Sequence, residues 1–273
     1  MSARGVWVRL ASIAVLAAVI GAEFPAQAQL ILAQPPSQHD KVRLSGFLWR
    51  AKPSGVIDFA GLGQIPGLRE GIDIGSTLGI TEPGNGWIIE AQFAAGRRHR
   101  FIVEYSRLDN SAEAVLDFTG SGLPELLIPI ETAIDLREIH AFYNFLLVAT
   151  PGVELGVLGG VGYFNARALV TSGLGNVAVR FKQGFPTFGA NMMANPSGRL
   201  RAYFEISGFP SVTVDDLSGS QLDVLARIEV FLVPSVALMV GYRRYQLNFE
   251  HAAGEIAFDA TWDGFTFGAQ ARF

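Results

Sequence analysis

A chain of 273 residues with 49% hydrophobic content, 17% charged content and a formal net charge of −4 lacks the basic surface that nucleic-acid binding needs. It contains no cysteine, which excludes a disulfide-stapled fold, a thiolate metal site and thiol catalysis. Helical membrane proteins carry solid apolar runs of about 20 residues. Only the N-terminus approaches one, so the apolar content belongs to strands, in keeping with 31 Gly and 20 Phe.

Residues 1–28 have the layout of a secretory signal. Arg4 and Arg9 precede the apolar stretch from Leu10 to Ala22, and Ala26-Gln27-Ala28 is a small-x-small cleavage site. Residues 29–41 are expected to form a flexible periplasmic lead-in, and residues 42–273 the folded unit.

From residue 42 onward, runs of about ten residues alternate apolar and polar side chains, the signature of transmembrane strands. In chain order they are 42–50, 86–95, 100–106, 138–148, 153–164, 185–194, 199–207, 222–232, 235–247 and a last run ending at 273. The runs 42–50 and 185–194 are the weakest, the second because Pro186 removes a ladder donor. The clearest is 222–232, with Leu222, Val224, Ala226, Ile228, Val230 and Leu232 on one face and Asp223, Arg227, Glu229 and Phe231 on the other.

Short connections at 96–99, 149–152, 195–198 and 233–235 alternate with long ones at about 51–85, 109–132, 167–181, 208–220 and 250–259. That asymmetry predicts an all-β, transmembrane, antiparallel up-and-down barrel of ten strands with both termini at the periplasmic end. Eight or twelve strands are the alternatives. The pieces 56–59 and 71–74 inside the first long connection are expected to form an exterior hairpin extension.

If the apolar parity faces lipid, the other parity lines the interior. It carries Arg43, Arg100, Arg199, Arg201, Arg227, Arg243 and Arg272 against Glu90, Glu104, Glu138, Glu154, Glu205, Asp223 and Glu229. Interior charges are costly unless paired, and balanced signs predict a bracing Arg–carboxylate network rather than a pore lining of one sign. His140 shares this face with Glu138, as an orienting pair or a satisfied interior histidine. Asp215, Asp216 and His251 fall in exterior loops but form no compelling protease set, and the same aspartates with Asp259 and Asp263 are a weak calcium candidate. Gly159-Gly160-Val161-Gly162 lacks the lysine and helix of a phosphate loop. Trp49, Trp87, Tyr105, Tyr242 and Trp262 are expected in interfacial girdles.

The signal, the alternating runs, the turn–loop asymmetry and the terminal Phe273 together resemble small Gram-negative outer-membrane barrels of the OmpA-like and OmpW-like kind over residues 42–273. The Gly-Arg-Arg-His-Arg turn followed by Phe-Ile-Val-Glu-Tyr looks like a periplasmic turn of such barrels. The resemblance implies residence in the outer membrane, contact with its lipid and lipopolysaccharide, and Phe273 as a signal to the barrel-assembly machinery. No periplasmic peptidoglycan-binding domain is expected, and no cofactor or nucleic acid. It carries no site residues with it. The expected function is non-enzymatic, structural or surface-interacting. A narrow channel for small or hydrophobic solutes is the alternative, and a lipid-modifying enzyme comes third.

Overall fold

The computed structural model describes residues 41–59, 72–117, 127–172, 175–214, 217–251 and 256–273. The predicted signal, and all of the lead-in except Lys41, lie outside the described residues.

Ten long strands build the wall: β1 (Val42–Phe59), β3 (Gly84–Ala95), β4 (His99–Asp117), β5 (Leu127–Ala149), β6 (Val153–Ser172), β7 (Gly175–Ser197), β8 (Leu200–Val214), β9 (Leu217–Val233), β10 (Val236–His251) and β11 (Ile256–Arg272). A two-residue piece, β2 (Ile72–Asp73), pairs only with Val56 and Ile57 of β1, beyond the point where β3 begins. Each long strand runs antiparallel to the next, and β11 returns to β1 from Arg43↔Arg272 to Phe59↔Ile256. This closed, all-antiparallel barrel has the ten strands expected. Closure leaves no exposed sheet edge along the β1–β11 seam.

The start of β1, Phe273 and the four short turns share one end, here the turn end; the opposite one is the loop end. Phe273 completes the turn end: its N–H donates to Val42 O at 2.9 Å, and its own carbonyl accepts from Lys41 N at 2.9 Å. Its side chain points outward and is 72% exposed.

The strands are longer than expected. A bilayer needs about 9–11 tilted residues, yet β4 to β7 have 19, 23, 20 and 23. Most of the predicted loops 109–132, 167–181 and 208–220 are instead strand that continues past the apolar belt. They looked like loops because the alternation inverts there. In β5, Ile139, Ala141 and Tyr143 face outward while Glu138, His140 and Asn144 face inward. Nearer the loop end the same strand buries Ile130, Ile134 and Leu136 and exposes Glu131 and Arg137. In β10, outward Val240 and Tyr242 give way to Arg244, while inward Arg243 gives way to Tyr245, Leu247 and Phe249. In β11, Phe265 and Asp263 mark the same exchange outside, Thr266 and Trp262 inside.

On neighbouring strands the exchange falls at facing residues. Arg107 is opposite Arg137, Arg137 opposite Asn165, and Arg244 opposite Asp263. Toward the turn end the barrel is apolar outside and polar inside; toward the loop end it is polar outside and apolar inside. The second arrangement is that of a water-soluble barrel.

The segment after β2 belongs to that apolar interior. Ile72, Ile74, Leu78 and Ile80 are at most 5% exposed and join one cluster with Trp49, Leu108, Ile130, Leu247 and Trp262. Its turn is held by Asp73, whose Oδ1 accepts from Ser76 N at 2.6 Å and Ser76 Oγ at 2.8 Å. Ile74 N–H donates to Gly55 O of β1 at 2.9 Å. Gly79 adopts φ +72°, and a Cβ there would meet the Ala114 side chain at 2.8 Å, so the chain lies close against β4. The predicted hairpin extension therefore pairs as expected but turns its apolar side chains into the barrel core.

Candidate functional site

Inward parity on neighbouring strands delivers charged side chains to the turn half of the lumen. Arg243 of β10 holds Asp223 of β9 through two donors, Nε to Oδ1 at 3.0 Å and Nη2 to Oδ2 at 2.6 Å. It also reaches Glu104 of β4 at 3.0 Å. Arg227 of β9 pairs with Glu229 at 3.1 Å and with Glu90 of β3 at 3.3 Å, its guanidinium lying over the Tyr203 ring at 4.2 Å. Arg201 takes the other oxygen of Glu229 at 3.3 Å and donates to Asn195 Oδ1 at 2.9 Å. Arg100 pairs with Glu154 at 2.7 Å. Arg43 donates to Gln92 at 3.4 Å, while Arg272 donates to the Pro234 carbonyl and lies over Phe231.

Two of the carboxylates are held by phenols instead. Tyr203 donates to Glu205, and Tyr245 of β10 donates across the barrel to Glu138 of β5. Both tyrosines lie on the inward parity of the runs 199–207 and 235–247, but only charged residues and His140 were named from the sequence for the interior. Their parity was the available signal. His140 Nε2 stands 3.8 Å from Glu138 Oε2, and its ring meets Phe142 and Phe185 edge-on. With 3% of the side chain exposed, it is closed to any bulky substrate.

Arg199 is a correction. It lies in the β7–β8 turn and is exposed, because the chain reverses at Gly198-Arg199 before the inward alternation of β8 begins at Arg201. The girdle assignment is corrected in part as well. Trp87 and Tyr105 do face outward with ring centroids 5.0 Å apart, and Tyr242 stands outside against Phe265. Trp49 and Trp262 are on the inward parity, 2% and 0% exposed, and pack the core. Trp262 donates to Asn110 of β4 at 3.2 Å. Among the described residues no group of three or more His, Asp or Glu is arranged to hold a metal ion. Asp215 and Asp216, and the side chain of His251, lie outside what is described.

One seam in the wall is short. The β7–β8 ladder ends at Phe188↔Gly208, although β7 continues to Gly175 on β6 and β8 continues to Val214 on β9. Extending the register would bring Pro186 opposite Pro210, two residues with no N–H to donate, so the ladder would lack both donors at that pair. Inside the seam Phe185 stacks on Phe209 at 4.3 Å. A cavity of about 270 Å³ opens nearby at the loop end, lined in part by Ser211, Ser220, Asn248, Phe249 and Asp259.

No family model and no curated protein matches the chain. Among solved structures, the outer membrane protease OmpT of Escherichia coli superposes with a TM-score of 0.52 at 9% identity, covering 87% of this chain and 100% of that one. The attachment invasion locus protein Ail of Yersinia pestis (TM-score 0.39, 12% identity, 85% and 99% covered) and neisserial surface protein A (0.39, 14%, 85% and 97%) are also similar. The chain thus has the fold of bacterial outer-membrane β-barrels.

Proposed function

We propose that the chain is an exported outer-membrane barrel with a non-enzymatic, structural or surface-presenting role, whose interior does not conduct. One observation carries this reading: ion pairs and hydrogen bonds cross the lumen rather than line it. Arg243–Glu104 and Arg227–Glu90 join strands four apart around the ring, and Tyr245–Glu138 joins strands five apart. The apolar cluster with Ile72–Ile80 then fills the loop half above them. In this reading the turn end is periplasmic, and Phe273 is presented to the assembly machinery at the strand that closes the barrel. In a planar bilayer the purified protein gives no reproducible single-channel steps; steps that persist across preparations overturn the plugged lumen. Overexpression leaves the lipid A mass profile of cells unchanged, and a new acylation or deacylation product there refutes the non-enzymatic assignment.

A second reading, a narrow route for hydrophobic solutes, draws support from the short β7–β8 seam over Phe185 and Phe209. Replacing Pro186→Val together with Pro210→Val restores two donors and lets the ladder extend. If the wild type takes up a hydrophobic fluorophore such as N-phenylnaphthylamine and the double variant does not, this second reading replaces the first.

A further inference from the structure

The charges of the lumen are sorted along its axis. At the inward positions nearest the turns, Arg43, Arg100, Arg201 and Arg272 face two carboxylates, Glu154 and Glu229. Farther in, Glu90, Glu104, Glu138, Glu205 and Asp223 outnumber Arg227 and Arg243. The turn end therefore carries an excess of cations, even with the carboxyl group of Phe273 counted in.

Both of its side-chain carboxylates are taken. Glu154 pairs with Arg100 at 2.7 Å, and Glu229 is shared by Arg201 at 3.3 Å and Arg227 at 3.1 Å. The Arg43 guanidinium reaches the Gln92 amide at 3.4 Å and forms no ion pair among the described residues. It nevertheless stands directly opposite Arg272 across the β1–β11 seam, a placement of like charges that destabilises a sheet. Arg272 and Arg201 lie over the same Phe231 ring, at 4.2 and 5.0 Å, so three guanidiniums converge at the seam.

Buried polar atoms without a partner stand beside them. Gln270, the next inward position on β11, is 2% exposed, and neither atom of its amide has a hydrogen-bond partner among the described residues. Ser45 faces it from β1, also buried, and its Oγ has no partner, as is true of Arg43 Nε. The register gives the reason. On its other side Gln270 faces Ala237, which has no polar side-chain atom, while Glu90 opposite Ser45 is held by Arg227 at 3.3 Å.

Arg43 Nε, Ser45 Oγ and Gln270 Nε2 are all donors, carried by two strands about 4.8 Å apart. Buried donors are as a rule satisfied. A water accepts at most two hydrogen bonds and leaves the excess charge in place, whereas one small anion accepts from all three donors and offsets it. We infer that Arg43, Ser45 and Gln270 hold a single small inorganic anion, chloride in size and charge, inside the turn end of the barrel. Arg201 and Arg272 supply the surrounding positive potential. The inference uses the closure and register of the barrel and depends neither on export nor on whether the lumen conducts.

The test follows unfolding of the full chain in lipid vesicles, with sodium chloride exchanged for sodium gluconate at constant ionic strength. An anion that binds only the folded state raises the folding equilibrium constant in proportion to its concentration above Kd. Between about 30 mM and about 300 mM chloride, that constant is expected to rise by up to roughly tenfold in the wild type. Arg43→Gln/Gln270→Leu loses the dependence, and Arg180→Gln, which removes an exposed cation from the outer wall, keeps it. A heat-dependent gel shift checks that each variant is folded. If the double variant is not, Ser45→Ala is used, and it shifts the same dependence to higher chloride. Crystals grown in bromide are expected to show an anomalous peak between Arg43 and Gln270. No chloride dependence in the wild type and no bromide peak overturn the site and leave the niche to water. Equal dependence in the wild type and the double variant overturns it too, in favour of a general salt effect. Stabilisation by phosphate but not by chloride overturns the small-anion assignment.

Discussion

The two halves of this barrel share a backbone plan and invert its chemistry. In the turn half, outward side chains such as Leu48, Val157 and Phe267 are roughly half exposed, and the interior holds the Arg–carboxylate network. In the loop half, outward Arg244, Glu131 and Asp259 surround an interior of Trp262, Leu247, Phe164 and Ile74, none of them more than 2% exposed. Inward residues keep the same parity along the whole strand; what changes is the medium outside. Where lipid covers the wall, the hydrophobic effect gives no reason to bury apolar groups inside, and the lumen is filled by long charged side chains that reach each other. Where water covers the wall, burial stabilises by about 25 cal/mol per Å² of apolar surface, and the lumen becomes an ordinary core.

The sharpest way to separate the halves is to damage each interior by its own rule. Arg243→Met strands Asp223 and Glu104 without their cation and is expected to cost ~3–5 kcal/mol, read as lowered unfolding stability in lipid vesicles. A loss below ~1 kcal/mol would mean that the turn-half network is solvated rather than bracing. Leu247→Ala, fully buried in the loop half, is expected to cost ~2–5 kcal/mol as a cavity, independent of lipid type. The outer faces supply the next contrast. Val157→Arg, outward at mid-belt, is expected to cost ~2–4 kcal/mol. Ser111→Arg, outward on the loop half of β4, should change stability by less than ~0.5 kcal/mol. Equal costs at the two sites would erase the inversion.

The smallest effect concerns the turn at Asp73. The Ser76 N–H and then its hydroxyl hold the Asp73 carboxyl below the usual carboxylate range. Its stabilisation is therefore full above that range and fades as pH falls through the lowered value. Amide exchange at Ser76 and Leu78 is expected to quicken on acidification, and Asp73→Asn should give the quickened rate at neutral pH already. A pH-independent rate in the wild type would show that burial of Ile74 and Leu78 holds the turn without it.

Legibility in the sequence followed the same division. The belt strands announced themselves through Leu222–Leu232 or Phe265–Phe273, because one parity is apolar for several residues together. The weak run 185–194 is a strand too, and the reservation about Pro186 has a physical counterpart in the ladder that stops there. The upper strands were lost because the period-2 pattern slips phase at Arg107, Arg137 and Arg244, and a window crossing that point averages to a loop. Trp49 and Trp262 were misplaced for the same reason: a tryptophan near the level of the rim is equally at home in a girdle outside or a core inside. Arg199 was misplaced because alternation was extended one residue into a turn.

By itself the sequence determined the lipid-facing parity and the mixed charge of the inward parity, which follow from alternation along a single strand, and an all-β barrel with an even strand count, which follows from short and long connections taking turns. Only the tertiary structure decided which charges meet. Arg243 finds Glu104, and Tyr245 finds Glu138, across a ring whose register no single strand encodes. It also decided where the outer medium changes from lipid to water, because that level is set by ten strands aligned side by side.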